Sequence, residues 1–335
     1  MNRSHSATFL VAAVAVWTAG CAARQATERF EYAELHMGVK TRLVVYAPSE
    51  QAAADACRAA YARVAELEDV ASDYRADSEL MRLCAKAGQG PVPVSPELFT
   101  LLSHAQELSR RSGGAFDVTV GPLVALWRTA RKTKQLPTPE ALAEARAKVG
   151  WQHVELDAER RAVALALPGM RLDLGGIAKG YAGDEAIRVL REHGIRSALF
   201  EAGGDIVVAD APPGEKGWPI EVAGDAPGRT IALAHRGIST SGDTEQFVEI
   251  DGVRYSHVVD PRTGLGLTDR YAATVVARDG ITADALSTAA CVLGEQKGDA
   301  LVKSCRGARA YIRRVGLTAS PLRPATSSNG RARKS

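Results

Sequence analysis

The sequence predicts an α+β fold, with mixed sheets flanked by helices, and three observations carry that expectation. Strand-like runs and amphipathic helical stretches are mixed without a regular βαβ rhythm, which argues against a doubly wound parallel sheet. Two short alternating runs flank Asp251-Gly252, the pattern of an antiparallel hairpin. At 335 residues the chain is also long enough to bury a sizeable core, as one large or two smaller domains. Its 46% hydrophobic and 24% charged residues are those of an ordinary soluble globular protein. A net charge of +3 is too small to argue for a nucleic-acid partner.

At the N-terminus, Arg3 and His5 precede an apolar run from Ala7 to Trp17, then Thr18-Ala19-Gly20-Cys21. The run is too short to span a bilayer comfortably and reads as the core of an export signal. Small residues directly before a Cys resemble a lipobox, in which Cys21 is lipidated and becomes the first mature residue. The alternative is a plain signal peptide with an incidental Cys. Residues 1–20 are therefore expected to be a signal peptide, 22–29 a linker, 30–315 a single domain and 316–335 a disordered basic tail. Lipidation would tether a soluble body to a membrane face outside the cytoplasm. Of the other cysteines, Cys57 and Cys291 fall on apolar helical faces and are expected as buried free thiols; Cys84 and Cys305 complete the set, which shows no CxxC pair.

Within the domain, Arg42–Ala47 alternates as a strand, with Met37 just ahead of it. Apolar positions from Ala53 to Asp73 predict a helix, and Tyr74–Leu80 a polar turn into a short one. Ser95-Pro96-Glu97 opens a helix that Gly113-Gly114 stops, and Thr138-Pro139-Glu140 opens another that closes near Gly150. Ala115-Phe116-Asp117-Val118-Thr119 has little helix signal. Strands are expected at Ser197–Phe200, Ile206–Ala209, Ile220–Val222, Thr230–Ala234 and Tyr271–Ala277, with a hairpin over 247–259. Ser239-Thr240-Ser241-Gly242-Asp243 reads as a polar loop after a strand, whose hydroxyls and N–H groups either line an anion pocket or merely make the turn. Thr282 is the expected N-cap of a helix ending at Leu293, before Gly294, and Ala308–Arg313 closes the sheet.

The chemistry centres on Arg171-Leu172-Asp173-Leu174-Gly175-Gly176-Ile177-Ala178-Lys179-Gly180-Tyr181. An apolar run ends at an Asp, glycines follow, and a helix begins with Ala178, Tyr181, Ala182, Val189 and Leu190 on one face. Glycines at a helix entrance admit a ligand to the backbone, whose free N–H groups attract anions. Lys179 would add charge beside a phosphate, and Asp173 would accept from a hydroxyl or a base edge. A tight turn with a solvated Lys fits the same residues, which follow neither GxxxxGK[ST] nor GxGxxG. Asp284 and Thr288, four apart, share a helix face and offer hard oxygens of the kind Mg²⁺ accepts, although a first-turn carboxylate is favourable without a metal. His257 suits a general base for a hydroxyl nucleophile, or else is a half-buried imidazole bonded to backbone. GxSxG and HExxH are absent, so serine hydrolases and zincins lack support.

Taken together, 173–182, Ala202-Gly203-Gly204-Asp205, 239–243, Ser256-His257-Val258-Val259-Asp260-Pro261-Arg262-Thr263-Gly264 and 282–289 resemble, in order and spacing, the FAD:protein FMN transferases of the ApbE family. Met37-Gly38, Tyr74–Leu80, Ala115-Phe116-Asp117 and Gly121-Pro122-Leu123 extend the match to roughly residues 30–315. The resemblance implies a T-fold-type architecture with an FAD cleft between two subdomains. It implies Mg²⁺-dependent transfer of FMN from FAD to a Ser or Thr of a partner flavoprotein, with AMP leaving. It assigns FAD contacts to Met37, Tyr74, Ala115, Phe116, Asp117, Asp173, Lys179 and Val258. It also assigns metal ligation to the Gly176 carbonyl, Asp284 and Thr288, and the base role to His257. With Cys21 lipidated, the expected location is the periplasmic face of a bacterial membrane. Glu201, where many relatives carry Asn, and Thr244, where an aromatic is frequent, depart from the pattern. Alternatives with the same pocket are an FAD pyrophosphatase releasing FMN and AMP, and a flavin-binding lipoprotein without turnover.

Overall fold

A computed structural model describes residues 26–222, 229–242 and 246–314. The expected signal peptide, Cys21, the tail 316–335, Asp243 and Thr244 lie outside those residues. The chain opens with β1 (Glu28–His36) and β2 (Val39–Ala47), a hairpin whose turn residues Met37 and Gly38 both have left-handed backbones, φ 53° and 73°. β1 starts inside the segment 22–29 expected as a linker. Glu28, Arg29, Glu31 and Glu34 mask its strand pattern, and an edge strand tolerates such charges because they also guard its free edge.

Helices α1 (Glu50–Ala71), α2 (Glu79–Cys84), α3 (Pro96–Ser112) and α5 (Pro139–Arg146) each start on a Ser or Thr that accepts a first-turn N–H: Ser49, Ser78, Ser95 and Thr138. Gly113, at φ 62°, ends α3 as its sequence predicts. The sequence does not announce α4 (Gly121–Thr133), which starts without a side-chain cap. Strands β3 (Val92–Pro93), β4 (Val154–Asp157) and β5 (Ala162–Leu165) make a small antiparallel sheet from runs too short to show a period.

The second half contains α6 (Ala178–Glu192), β6 (Ala198–Ala202), β7 (Asp205–Val208), the hairpin β8 (Trp218–Glu221) with β9 (Thr230–Leu233), and β10 (Arg236–Ser241). It ends with the hairpin β11 (Phe247–Ile250) and β12 (Val253–Ser256), then β13 (Tyr271–Ala277), α7 (Gly280–Lys303) and β14 (Arg309–Arg314). Among the described residues, seven strands join in the order β1-β2-β6-β7-β10-β13-β14, each neighbour antiparallel. The mixture of sheets and helices bears out the α+β expectation.

Two local readings change. Ser239, Thr240 and Ser241 are not loop but strand, inside the large sheet. Their polarity is absorbed by partners on alternating faces: Ser239 and Ser241 meet Ser287 at 2.9 and 2.8 Å, and Thr240 meets Thr274 at 2.8 Å. The N-cap of α7 is Asp279, whose Oδ1 accepts from Thr282 N at 3.0 Å, so Thr282 lies in the first turn. Gly294 (φ 73°, ψ −175°) breaks α7 where expected, but helix resumes to Lys303.

One face of the large sheet, with Leu43, Val45, Phe200 and Val207, buries Ala60, Val64, Ala186 and Leu190 of α1 and α6. The other, with Val44, Leu199, Ile206 and Ile238, is covered by Trp218 and Ile220 of the β8–β9 hairpin. Each such aliphatic side chain contributes ~1.5–3 kcal/mol when buried. Cys57, Cys84 and Cys291 are buried free thiols and Cys305 is a free, partly buried one.

Asp184 of α6 joins the two helices that matter for the site. Its carboxylate accepts from Gly280 N at 2.7 Å and Ile281 N at 2.9 Å, the first donors of α7. Burial nonetheless pushes its pKa up to about 7 from 3.8. The folded state then holds a proton that the unfolded chain releases, so stability falls as pH rises from 3.8 through about 7. An Asp184→Asn variant lacks this titration. The Tm of the unmutated chain, relative to that variant, should be higher at pH 4 than at pH 7. A constant difference across that range would show that Asp184 does not titrate there.

Candidate active site

The glycine motif is set by its apolar residues. Leu172 and Leu174 are buried and hold the chain on either side of Asp173, while Asp173 N donates to Val118 O at 2.8 Å. Asp173 Oδ1 accepts from Gly175 N at 2.8 Å, and Ala178 N turns back to Leu174 O at 2.9 Å to start α6.

Two glycines permit the approach of α7. A Cβ on Gly180 would lie 2.1 Å from Gly280 O, and one on Gly280 would lie 2.3 Å from Gly180 O. No side chain fits at that crossing. In consequence Asp284, one turn into α7 and buried, accepts from Gly180 N at 3.0 Å. At Gly176 a Cβ would stand 3.0 Å from Thr288 Oγ1 and 3.4 Å from Phe116 Cε2. The expected metal residues Gly176, Asp284 and Thr288 are thus brought to one turn, with Phe116 beside them.

Lys179 sits in their midst. Its Nζ donates to Gly175 O at 3.1 Å, pairs with Asp205 Oδ2 at 2.8 Å and lies 3.8 Å from Asp284 Oδ2. Burial works against the ammonium, but Asp205 and then Asp284 outweigh it and hold its pKa above the usual lysine range. Burial and the neighbouring Asp205 drive the Asp284 carboxyl up, with Lys179 and Gly180 N opposing. A run of hydroxyls continues the group: Ser241 Oγ lies 3.1 Å from Thr288 Oγ1 and 2.8 Å from Ser287 Oγ. Asp205 and Ser287 carry no role in the sequence-based assignment, while Ser239 and Ser241 are hydroxyls that the sequence offers either to an anion pocket or to a turn. The turn Ala202-Gly203-Gly204-Asp205 was the only hint of the first.

The other expected contacts fall in three places. Ala115 and Phe116 are buried, and Asp117 is buried with both oxygens engaged: Oδ1 accepts from Thr119 N and Oγ1, Oδ2 from Trp151 N. Its carboxylate therefore shapes its own loop. Met37 is partly buried at the β1–β2 turn, its N donating to Glu68 Oε2 at 2.9 Å. Tyr74 is exposed, with the Arg128 guanidinium over one ring face at 4.0 Å. Arg128 also reaches Asp173, and no motif in the sequence singles it out.

His257 and Val258 lie just past the end of β12 rather than mid-strand, because strand pairing stops at Ser256. His257 Nδ1 is 3.0 Å from Gln246 O. A carbonyl only accepts, so Nδ1 carries the hydrogen and Nε2 is the nitrogen able to take a proton. Val258 N donates to Ser256 Oγ at 3.0 Å.

The α+β fold is also that of solved flavin transferases. The Pseudomonas stutzeri flavinyl transferase ApbE, in its apo form, superposes with a TM-score of 0.77 at 29% identity, over 90% of this chain and 96% of that one. The flavin transferase ApbE from Vibrio cholerae gives 0.75 at 30% identity, over 90% and 98%. A Treponema pallidum protein named FAD:protein FMN transferase is 35% identical over 314 residues, 87% of this chain and 86% of its own. The ApbE family model matches residues 37–312, and the chain belongs to the ApbE family.

The crossing of α6 and α7 gives a direct test. Gly180→Ala should cost about 1–3 kcal/mol or more of stability, because its methyl group meets the Gly280 carbonyl. Urea denaturation reads this, and an unchanged midpoint would mean that the helices do not cross there.

Proposed function

We propose that the chain is an FAD:protein FMN transferase, moving the FMN half of FAD to a Ser or Thr hydroxyl of a partner flavoprotein. The observation that most supports this reading is the meeting of Asp284 and Thr288 with the glycine turn at Gly176 and Gly180. The names carried by relatives over most of the chain support the same activity.

The residues present fit a Mg²⁺ ion. Two buried carboxylates, Asp205 and Asp284, face one ammonium, Lys179, which leaves negative charge in excess. The Gly176 carbonyl, Asp284 and Thr288 are all hard oxygen donors. Held by them, Mg²⁺ supplies charge neutralisation at the pyrophosphate.

Lys179 adds a positive charge beside the phosphates. Asp173 accepts a hydrogen bond from FAD, Tyr74 offers an open ring face, and Met37, Ala115, Phe116, Asp117 and Val258 line the rest. His257 Nε2 takes the proton of the acceptor hydroxyl as its oxygen bonds to the FMN-side phosphorus. The bond from that phosphorus to the bridging oxygen breaks, and AMP leaves with the electron pair. No covalent enzyme intermediate is needed. The chain acts as a lipoprotein anchored through Cys21 on the periplasmic face of a bacterial membrane.

Incubation with FAD, Mg²⁺ and a candidate acceptor should give an acceptor heavier by one FMN in intact mass spectrometry. Free FMN and AMP alone would favour the hydrolase, and bound but unchanged FAD the binding protein. Asp284→Ala should abolish transfer, and full turnover in that variant would remove the metal reading. His257→Ala should lower the rate about 10²–10⁴-fold with FAD binding retained. Cys21→Ala should shift the protein from the membrane to the soluble fraction; no shift would remove the lipid anchor.

A further inference from the structure

Arg128 stands between two carboxylates and an aromatic ring. Its Nη1 meets Asp73 Oδ2 at 2.5 Å and its Nη2 meets Asp173 Oδ2 at 3.3 Å, while its Cζ stands 4.0 Å from the Tyr74 ring centre. These partners come from segments about a hundred positions apart, the turn after α1 and the strand-like entry to the glycine motif. Two carboxylates facing each other repel, and one guanidinium between them offsets part of that repulsion. Arg128 Nε has no hydrogen-bond partner among the described residues, so its position is set by the carboxylates and the ring rather than by a filled donor set.

The base of the side chain is equally fixed. Trp127, the preceding residue on α4, is buried, and its Nε1 donates to Gly264 O at 2.8 Å. Tyr74 is different in kind: it is 78% exposed, yet it is the next residue to Asp73 and has one face covered by the cation. The backbone of its turn is held by Ser72 Oγ, which accepts from Tyr74 N at 3.3 Å, and by Asp73 O, which accepts from Arg171 Nη2 at 3.0 Å. A large aromatic ring held so firmly at the surface is suited to stacking a flat ligand ring on its free face. An ammonium could satisfy one carboxylate, but only a planar guanidinium offers edges to two carboxylates and a face to a ring.

We infer that Arg128 is a positioning residue for FAD: it pins the Tyr74 ring and the Asp173 carboxylate at a fixed separation across one guanidinium. The inference rests on the transferase reading, which places FAD against both residues. Its effect is on flavin binding and not on the bond-making step.

The test is binding of FAD alone to the full chain, read by quenching of flavin fluorescence, together with transfer kinetics. Arg128→Ala should weaken FAD binding about tenfold, which corresponds to ~1.4 kcal/mol. KM for FAD should rise with it while kcat stays within about threefold. Arg128→Lys keeps a cation near Asp73, its Nζ standing where Cζ was, is the less disruptive change for the fold, and should still lose at least about threefold in affinity. In a Tyr74→Ala background the loss from Arg128→Ala should shrink to about threefold or less, since part of its effect passes through the ring. A merely structural role predicts instead that the two losses multiply. Unchanged affinity in Arg128→Lys, or full multiplication in the double variant, overturns the inference while leaving the transferase reading intact. Failure of the unmutated chain to bind FAD overturns both.

Discussion

The structure depends on an ion group in the interior: Lys179 between Asp205 and Asp284. Buried charges are tolerated only when paired and held in good geometry. Here each charge comes from a different element: α6, the start of β7 and α7. For their side chains to meet, the backbones of α6 and α7 must come closer than any side chain at the crossing allows, and Gly180 and Gly280 provide that space. Gly237 of β10 does the same on the sheet side, where a Cβ would lie 2.3 Å from Asp279 O. Asp184 then secures the first turn of α7 to α6. Glycine placement, helix capping and charge pairing are therefore one constraint expressed three ways.

The sheet carries that constraint outward. β10 runs between β7 and β13, so the hydroxyls of Ser239 and Ser241 face α7 and meet Ser287 and Thr288. An apolar strand at this position would take Ser241 from Thr288 Oγ1, at a cost of about 1–3 kcal/mol, and leave Ser287 Oγ only the Asp284 carbonyl. A polar strand within a sheet is unusual for stability, and here its hydroxyls are matched by those of α7 and β13.

What the sequence made legible follows the strength of local signals. Ser95-Pro96-Glu97 and Gly113 fix the limits of α3, and Asp251-Gly252 turns β11 into β12, because capping and turn chemistry are written in adjacent residues. β1 was hidden by its charges, β4 and β5 by their length, and α4 by a start with no cap. β10 was read as a loop because its hydroxyls find partners only after folding. In the site, the convergence of Gly176, Asp284 and Thr288 was anticipated through resemblance, since spacing alone left Asp284 as an ordinary first-turn carboxylate. Asp184 and Arg128 act on partners 96 and 45 residues away in sequence, outside any local period, so nothing along the chain marks them.

Glu201 shows how far a departure from the family pattern can sit from the chemistry. It lies on β6 opposite Arg42 of β2, and its Oε2 accepts from Arg42 Nε at 2.8 Å and Nη2 at 2.5 Å. Arg42 also reaches Glu31 on β1 at 3.3 Å, so the carboxylate belongs to a cross-strand ion network along the outer strands. Its charge is neutralised there and is not directed at Lys179, whose partners are Asp205 and Asp284. A second acidic residue near a cation site would ordinarily compete for the metal or repel a phosphate; pairing with Arg42 removes both effects. The ion group at Lys179 is unaltered by Glu201.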